Sequence, residues 1–421
     1  MKENTMNQPA PIAFTPYQKL VVGILVFLQF TIVLDFMIMA PLGAVIMPAF
    51  QITPEQFSRV VAGYAFSAGA SGLLAAGFSD KYDRKRILIF FYTGFLVGTL
   101  LCGLASSYEF LLFARIVTGL FGGVIGAIVL AITTDLFEYR QRGRVIGLVQ
   151  TAFGASQILG IPLGLFLSNV WSWHMPFFMI VGVGLFVGFF ILYRLQPIDG
   201  HLKLQNSDNV FHHFLNTFKS THNLIGFAAT ALISIGGFLL MPFTSGFTVH
   251  NVGIAFEKLP LMYLVSGAFA ILTGPLIGRA CDKFGKLNVF IFGALMTIIM
   301  AYVYTHLGIT PMILVMAVNV LFFIGIFSRI IPSQALISAI PKPANRGAFM
   351  AVNSSLQQMS GGIASLVAGW IIVENPDHSL LHFDTLGYIL MITTLISLGL
   401  IFRINQIAHR NLAPEDVSLG H

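Results

Sequence analysis

The stretch Lys19–Ala44, KLVVGILVFLQFTIVLDFMIMAPLGA, holds one acidic residue, Asp35, and no basic residue after its first position. A helix crosses the hydrocarbon core of a bilayer with about 20 mostly apolar residues, and this run is longer than that. It also exceeds the roughly 7–15 apolar residues of a signal-peptide core. It therefore reads as an uncleaved membrane helix after a polar, proline-containing start, Met1–Tyr17. It does not alternate polar and apolar residues, as the strands of a membrane barrel do.

Eleven further runs of the same kind follow, giving spans at 19–44, 57–78, 87–106, 110–133, 144–168, 175–195, 224–248, 259–280, 287–306, 311–337, 348–373 and 384–404. Gly and Pro occur inside them, which helices in lipid tolerate. The composition agrees: 10% of the 421 residues are charged, where a soluble chain carries about a quarter, and mean hydropathy is +0.83. Lipid is the solvent for most of this chain. The expected fold is an all-α integral membrane protein with twelve transmembrane helices.

A net charge of +6 does not call for a nucleic-acid partner once the positions of the positive charges are followed. Of 23 Lys and Arg, only Arg59 and Lys258 fall on one side of the predicted membrane, and Arg115 and Arg329 fall within helices. The rest lie in loops and termini on the other side. Positive charge marks the cytoplasmic side, so both termini are expected there. Trp171, Trp173 and Trp370 sit at outer helix ends, as interface anchors do. The two cysteines, Cys102 in an apolar run and Cys281 in a basic loop, form neither a bridge nor a metal or redox motif.

The longest polar stretch, Gln196–Asn223, falls halfway along the chain and reads as a linker. The expected organisation is a six-helix bundle over 1–195, a cytoplasmic linker over 196–223, a second six-helix bundle over 224–405 and a cytoplasmic tail over 406–421. The halves repeat at an offset of about 202: Asp80-Lys81 matches Asp282-Lys283, Gly72 matches Gly274, Glu55 matches Glu257, and Gly160 matches Gly362. Arg142-Gly143 matches Arg346-Gly347 at an offset of 204. Such duplication marks transporters whose substrate site lies between the repeats near the midplane, because two similar bundles can rock about a central site.

The loop Ala76-Gly77-Phe78-Ser79-Asp80-Lys81-Tyr82-Asp83-Arg84-Lys85-Arg86 resembles the major facilitator signature between helices 2 and 3. It departs from that pattern at Ala76 and Asp83, where the family has glycine. Its second-half copy, Gly278–Lys286, keeps both glycines. Leu111-x-x-x-Arg115-x-x-Thr118-Gly119 is similar to the family's helix 4 signature, with Thr118 in place of Gln. Gly160-Ile161-Pro162-Leu163-Gly164 resembles a variant of the helix 5 signature of proton-driven exporters. Together these resemble the twelve-helix drug/proton antiporters, including drug-, sugar- and metabolite-efflux members. The resemblance implies two bundles around a central cavity, multidrug or metabolite efflux by alternating access, and a bacterial inner (plasma) membrane location. It also implies a coupling acid in helix 1 that works with the helix 4 arginine.

Asp35 is the only acid deep inside a predicted helix. A central charge costs about 2.5–3.5 kcal/mol on insertion scales, so such a residue is a functional candidate. Burial and a nearby cation move a carboxyl pKa in opposite directions, so changing surroundings can load and unload a proton there. Coupling is the favoured reading, and a static brace to Arg115 is the alternative. Arg115 is always charged, and Asp35 is the only acid at its depth. The repeat places Gly236 near the position equivalent to Asp35.

Polar side chains at helical spacing, Gln150 and Gln157 on helix 5 and Asn353, Gln357 and Ser360 on helix 11, either line a cavity or bond helices together. Thr31, Tyr64 and Asn319 are further candidates for the cavity wall. Asp80, Arg84, Asp135 and Arg142, with Asp282 and Arg346 at the second-half positions, read as a clasp closing the cytoplasmic side; ordinary surface charge is the alternative. Gly122, Gly123 and Gly126 on helix 4, with Gly160–Gly164, allow close helix approach. Arg329, before Pro332, either contacts an anionic group or snorkels to the interface, and its position favours snorkelling.

No clustered ligands or nucleophile–base pair at depth point to an enzyme, and no phosphate-binding loop points to a pump driven by nucleotide. The expectation is a secondary transporter, proton-coupled and exporting small molecules, with import or uniport on the same fold as the alternative. No metal and no cofactor are expected beyond the proton as coupling ion. The expected partners are a small-molecule substrate and the lipid bilayer, with the protein a monomer.

Overall fold

The structure is a computed structural model describing residues 13–78, 82–200, 202, 217–218, 220–341 and 346–412, with side chains described except at 75–78, 139–140, 270, 346 and 409–412. Helix α1 (Pro16–Phe50) starts on a capping box: Thr15 Oγ1 accepts from Gln18 N–H at 3.2 Å, and Gln18 Oε1 accepts from Thr15 N–H at 3.0 Å. Pro16 needs no partner at the first helical position, where its missing N–H would be unbonded in any case. At 35 residues and about 1.5 Å each, α1 is long enough to cross the bilayer with a turn to spare at both ends.

The first bundle continues with α2 (Pro54–Phe78), α3 (Arg84–Gly103), α4 (Tyr108–Leu136), α5 (Tyr139–Ala155, continued by a wide turn Ser156–Gly160 and by Ile161–Val170) and α6 (Met175–Arg194). The second bundle holds α7 (Thr221–Phe238, continued through Met241–Phe243, Thr244–Gly246 and Phe247–Asn251), α8 (Leu259–Phe284), α9 (Lys286–Thr305), α10 (Met312–Ile337), α11 (Arg346–Ile371) and α12 (Phe383–Leu412). The fold is all-α, in two six-helix bundles. Among the described residues, ten helices are each long and apolar enough to cross a membrane. The other two, α2 and α11, are of similar length but carry rows of Gly, Ser and Gln, and they pack on each other between the bundles.

The helices run past the apolar spans. Helix α12 continues to Leu412, so the expected tail from 406 begins inside it, and the first turn of α7 takes residues 221–223 from the expected linker. Hydropathy reports the part in lipid, whereas backbone hydrogen bonding carries a helix onward into polar surroundings. Cys281 lies in the last turn of α8 rather than in a loop. The one β element among the described residues is a two-residue hairpin, β1 (Val373–Glu374) with β2 (Leu380–Leu381), paired antiparallel with Val373 opposite Leu381. Asn251 at the end of α7 clamps it: Nδ2 donates to Leu380 O, and Oδ1 accepts from Leu380 N–H, both at 2.9 Å.

Large apolar side chains are exposed along the outer helices, Leu185, Phe186 and Phe189 of α6 and Phe292, Leu295 and Ile299 of α9 among them. A surface of this kind is stable against lipid tails and not against water. Of the tryptophans, Trp171 and Trp370 are exposed, as interface anchors should be, but Trp173 is buried, stacked on His174 with ring centroids 3.7 Å apart and edge-on to Phe50. The interface reading of Trp173 is therefore corrected: the chain turns at Trp171–His174 and folds the second indole back under α1.

Close approach between helices rests on small residues. A Cβ at Gly123 of α4 would collide with the Ala68 carbonyl of α2, and one at Gly69 of α2 would stand 2.6 Å from Met359 of α11. Contacts between the bundles gather toward the end remote from the basic loops. There Ser245 Oγ donates to Ala40 O at 2.9 Å, linking α7 to α1, and Ser365 Oγ donates to Ser58 O at 3.2 Å, linking α11 to α2. On the other flank Gly267 of α8 lies against Gln157 and Ile158 of α5.

Gly126 has nothing within 4 Å of its would-be Cβ, unlike Gly123, and so takes no part in the close packing expected of it. Gly123→Ala should lower the unfolding midpoint of purified protein, by about 1–3 kcal/mol of stability. Gly126→Ala should leave it unchanged or slightly raised. Equal effects in a thermal-shift comparison would contradict the α2–α4 packing.

Candidate functional site

The pairing expected between Asp35 and Arg115 is present. Arg115 Nη1 donates to Asp35 Oδ2 at 2.7 Å and to the Asp35 carbonyl at 3.3 Å, and both side chains are fully buried. Thr99 Oγ1 of α3 donates to the other carboxylate oxygen at 3.1 Å. The Tyr64 ring of α2 lies under the guanidinium, 4.4 Å from Cζ, a cation–π contact that is stronger out of water. Arg115 Nε makes no hydrogen bond among the described residues. Four helices thus converge on one charge pair.

Local sequence explains the convergence. Gly119 of α4 sits directly on the Tyr64 backbone, and Gly98 of α3 sits on Thr118 of α4; any side chain at either would separate the helices. On the other side, Cβ atoms at Gly160 and Gly164 of α5 would stand 2.6 and 2.9 Å from Leu34 and Ile38, pressing α5 onto the turns of α1 that flank Asp35. Pro162 removes a backbone donor and disfavours a regular turn before it, and the chain widens there, with Ile161 N–H bonding Ser156 O five residues back. Such π turns recur at functional sites. Ser156 Oγ ties this turn to α1 through the Phe30 carbonyl at 3.1 Å.

Next to the pair, an aromatic row leads to the other bundle. Tyr64 contacts Phe36 with centroids 5.4 Å apart, and Phe36 contacts Phe238 of α7 at 5.7 Å. A shift of one bundle against the other therefore reaches the ring beneath Arg115. Tyr64 serves here as packing for the charge pair, and Thr31 is bonded to Leu28 O and to Tyr92 of α3 at 3.2 Å. Neither forms open cavity wall.

The remaining candidates divide. Asn353 accepts from Thr230 Oγ1 at 2.6 Å, bonding α11 to α7. Gln157 is buried under Gly267, while Gln150, one turn beyond the Gly154–Ile271 contact, is exposed. Asn319 and Gln357 are half-buried. Of the expected clasp, Arg84 pairs with Asp135 at 3.0 Å, and Arg142 donates to the carbonyls of Phe137 at 3.1 Å and Thr134 at 2.8 Å. These bonds join α3 to α4 and finish the α4 C-terminus; all lie within the first bundle. Asp282 is exposed, and Asp80 and the Arg346 side chain lie outside the described residues. Asp83, where the family pattern has glycine, caps α3 through Lys85 N–H at 2.8 Å and also accepts from Ile198 N–H of the linker at 3.0 Å.

Thr99 was missed by sequence reasoning, since a single Thr in an apolar helix resembles packing. The snorkelling reading of Arg329 is also corrected: the side chain is 3% exposed, held inside the second bundle.

The family model for the Major Facilitator Superfamily matches residues 25–365 and 226–417. The chain belongs to the Major Facilitator Superfamily. Among its relatives, the MFS-type transporter YceJ of Bacillus subtilis is 23% identical over 87% of this chain and 93% of its own length. Multidrug resistance protein 3 of the same organism is 34% identical over 34% of this chain and 30% of its own. Among solved structures, the D-xylose-proton symporter superposes with a TM-score of 0.73 at 15% identity, over 90% of this chain and 97% of that one. The nucleoside transporter NupG gives 0.70 at 14% identity, over 93% and 99%. These likenesses show the fold: this member of the superfamily is a multi-pass membrane transporter.

Removing one partner of a buried ion pair costs about 3–5 kcal/mol because the other charge is left uncompensated. Arg115→Met alone should therefore lower the unfolding midpoint sharply, and adding Asp35→Asn should recover part of the loss. A double variant less stable than either single one would refute the pairing as the source of the effect.

Proposed function

We propose that this transporter exchanges small molecules for protons, exporting its substrate by alternating access with Asp35 as the proton-carrying group. The observation that carries this reading is the enclosure of a lone carboxylate against a permanent cation inside one bundle. When Asp35 takes up a proton, its carboxylate becomes a neutral acid while Arg115 stays cationic, and the pair goes from no net charge to +1. A dry site resists that change, so proton binding favours whichever arrangement admits water or a new partner. The Tyr64–Phe36–Phe238 row gives that preference a route to the second bundle.

With the basic loops taken as cytoplasmic, the contacts between bundles close the outer side, and the arrangement reads as inward-facing. Both termini then lie in the cytoplasm of a bacterium, in its inner membrane. The bundles 1–195 and 224–405 would rock as units, Gln157, Asn319 and Gln357 lining the path near the midplane and the charged loops meeting when the cytoplasmic side shuts. A probable sugar efflux transporter of Helicobacter acinonychis is among the relatives, which favours that direction, and another relative is named multidrug resistance protein 3. The fold itself does not choose direction, since it also serves a xylose-proton symporter.

The test uses proteoliposomes reporting internal pH while drugs, sugars and organic acids are added. Wild type is expected to move protons with at least one of these compounds. Asp35→Asn is expected to lose proton movement and to keep substrate counterflow. Equal proton coupling in the variant would end the assignment of Asp35, and counterflow without proton movement in wild type would replace antiport with uniport.

A further inference from the structure

The helices enclose a second arginine. Arg329 lies on α10, eight residues before the helix ends at Ile337, and is buried. A guanidinium stays protonated in proteins, so it cannot escape burial by losing its charge. Its Nε and Nη2 have no hydrogen-bond partner among the described residues. Arg115, the buried arginine of the first bundle, is answered by Asp35, although the repeat aligns Arg115 with Ala317 and not with Arg329.

Arg329 faces a glycine of α7. Gly236 of α7 lies near the position that aligns with Asp35, and a Cβ there would stand 3.7 Å from Arg329 Nη2 and 3.0 Å from Thr393 Oγ1 of α12. Where the first bundle puts a carboxylate against its arginine, the second puts a hydrogen atom. One residue along α12, the Thr394 hydroxyl is likewise buried without a partner. The site lies inside the second bundle, and the same stretches of α7 and α10 reach the first bundle from a different helix face. Phe238, two residues from Gly236, meets Phe36 of α1, and Phe327, two residues from Arg329, meets Phe153 of α5 with centroids 6.4 Å apart.

We propose that Arg329, whose buried Nε and Nη2 have no partner among the described residues, binds a carboxylate or comparably compact oxyanion group of the transported molecule, so that the substrates are organic anions. This rests on the transporter reading above and names the class of its cargo. The missing counter-charge is then supplied by each substrate in turn, where in the first bundle it is built into the chain. An inorganic ion held permanently at Arg329 would meet the same electrostatic need, and the experiment separates the two.

The unfolding midpoint of purified protein is followed in chloride-free buffer of low ionic strength. Acetate, lactate, benzoate and phosphate are titrated beside acetamide, lactamide, benzamide and chloride. Wild type should be stabilised saturably by at least one oxyanion and not by its amide partner. The same anion should exchange in counterflow across proteoliposomes. Arg329→Gln should weaken the apparent affinity by about thirtyfold or more, the usual consequence of removing one member of a buried charge pair. Should that variant not fold, Gly236→Asp supplies the carboxylate from the chain; it should fold as wild type does and lose the response.

Stabilisation by chloride alone, stabilisation without counterflow, or an unchanged response in Arg329→Gln or Gly236→Asp would overturn the proposal. Asp35→Asn should keep the anion response. An anion response without proton movement would remove only the coupling assignment, and proton movement without an anion response would remove only this one.

Discussion

The charge pair of Asp35 and Arg115 sets the terms for the first bundle. Two opposite charges in a dry interior are tolerable only at hydrogen-bonding distance and with their remaining polar atoms attended to. That requirement brings α1 to α4 within reach of a 2.7 Å bond, places Thr99 of α3 on the free carboxylate oxygen, and slides the Tyr64 ring of α2 under the guanidinium. The glycines at 98, 119, 160 and 164 follow from it: each removes a side chain from a helix face that would otherwise hold the partners apart.

The two bundles meet through a different kind of contact. Between them run α2 and α11, both rich in Gly and Ser, joined by backbone-level approach and by the Ser365 hydroxyl donating to the Ser58 carbonyl across the boundary. Bonds of this sort are individually weak in membranes, on the order of 1 kcal/mol, so an interface made of them can part at one end and form at the other. The charge pair, by contrast, lies wholly within one bundle. The aromatic row of Tyr64, Phe36 and Phe238 links these two kinds of contact.

The repeat is one of architecture more than of chemistry. Each bundle encloses an arginine, Arg115 in the first and Arg329 in the second, but among the described residues only Arg115 is paired with an acid. Duplication copies helices and loops readily, as the matching Asp80-Lys81 and Asp282-Lys283 show. Side chains in the two copies are then free to diverge, and an asymmetric pair of charged sites lets one bundle handle the proton while the other handles cargo, as proposed here.

The sequence by itself determined the twelve helices, their order, the duplication, and that Asp35 was the one acid at the depth of Arg115. These follow from rules local to the chain: hydropathy reports what lipid will accept, and an acid and an arginine at one depth have no other partners. What only the tertiary structure decided is which polar residues face one another. Thr99, Tyr64 and Asn353 each sit in apolar or mixed helices where spacing is equally compatible with cavity wall, lipid contact or glue. Asn353 proves to be bonded to Thr230, Tyr64 lies beneath Arg115, and Arg329 points inward when its position near a helix end allowed it to reach the interface. Helix rotation and crossing settle these, and they depend on the packing of glycines and side chains from other helices, which no single segment encodes.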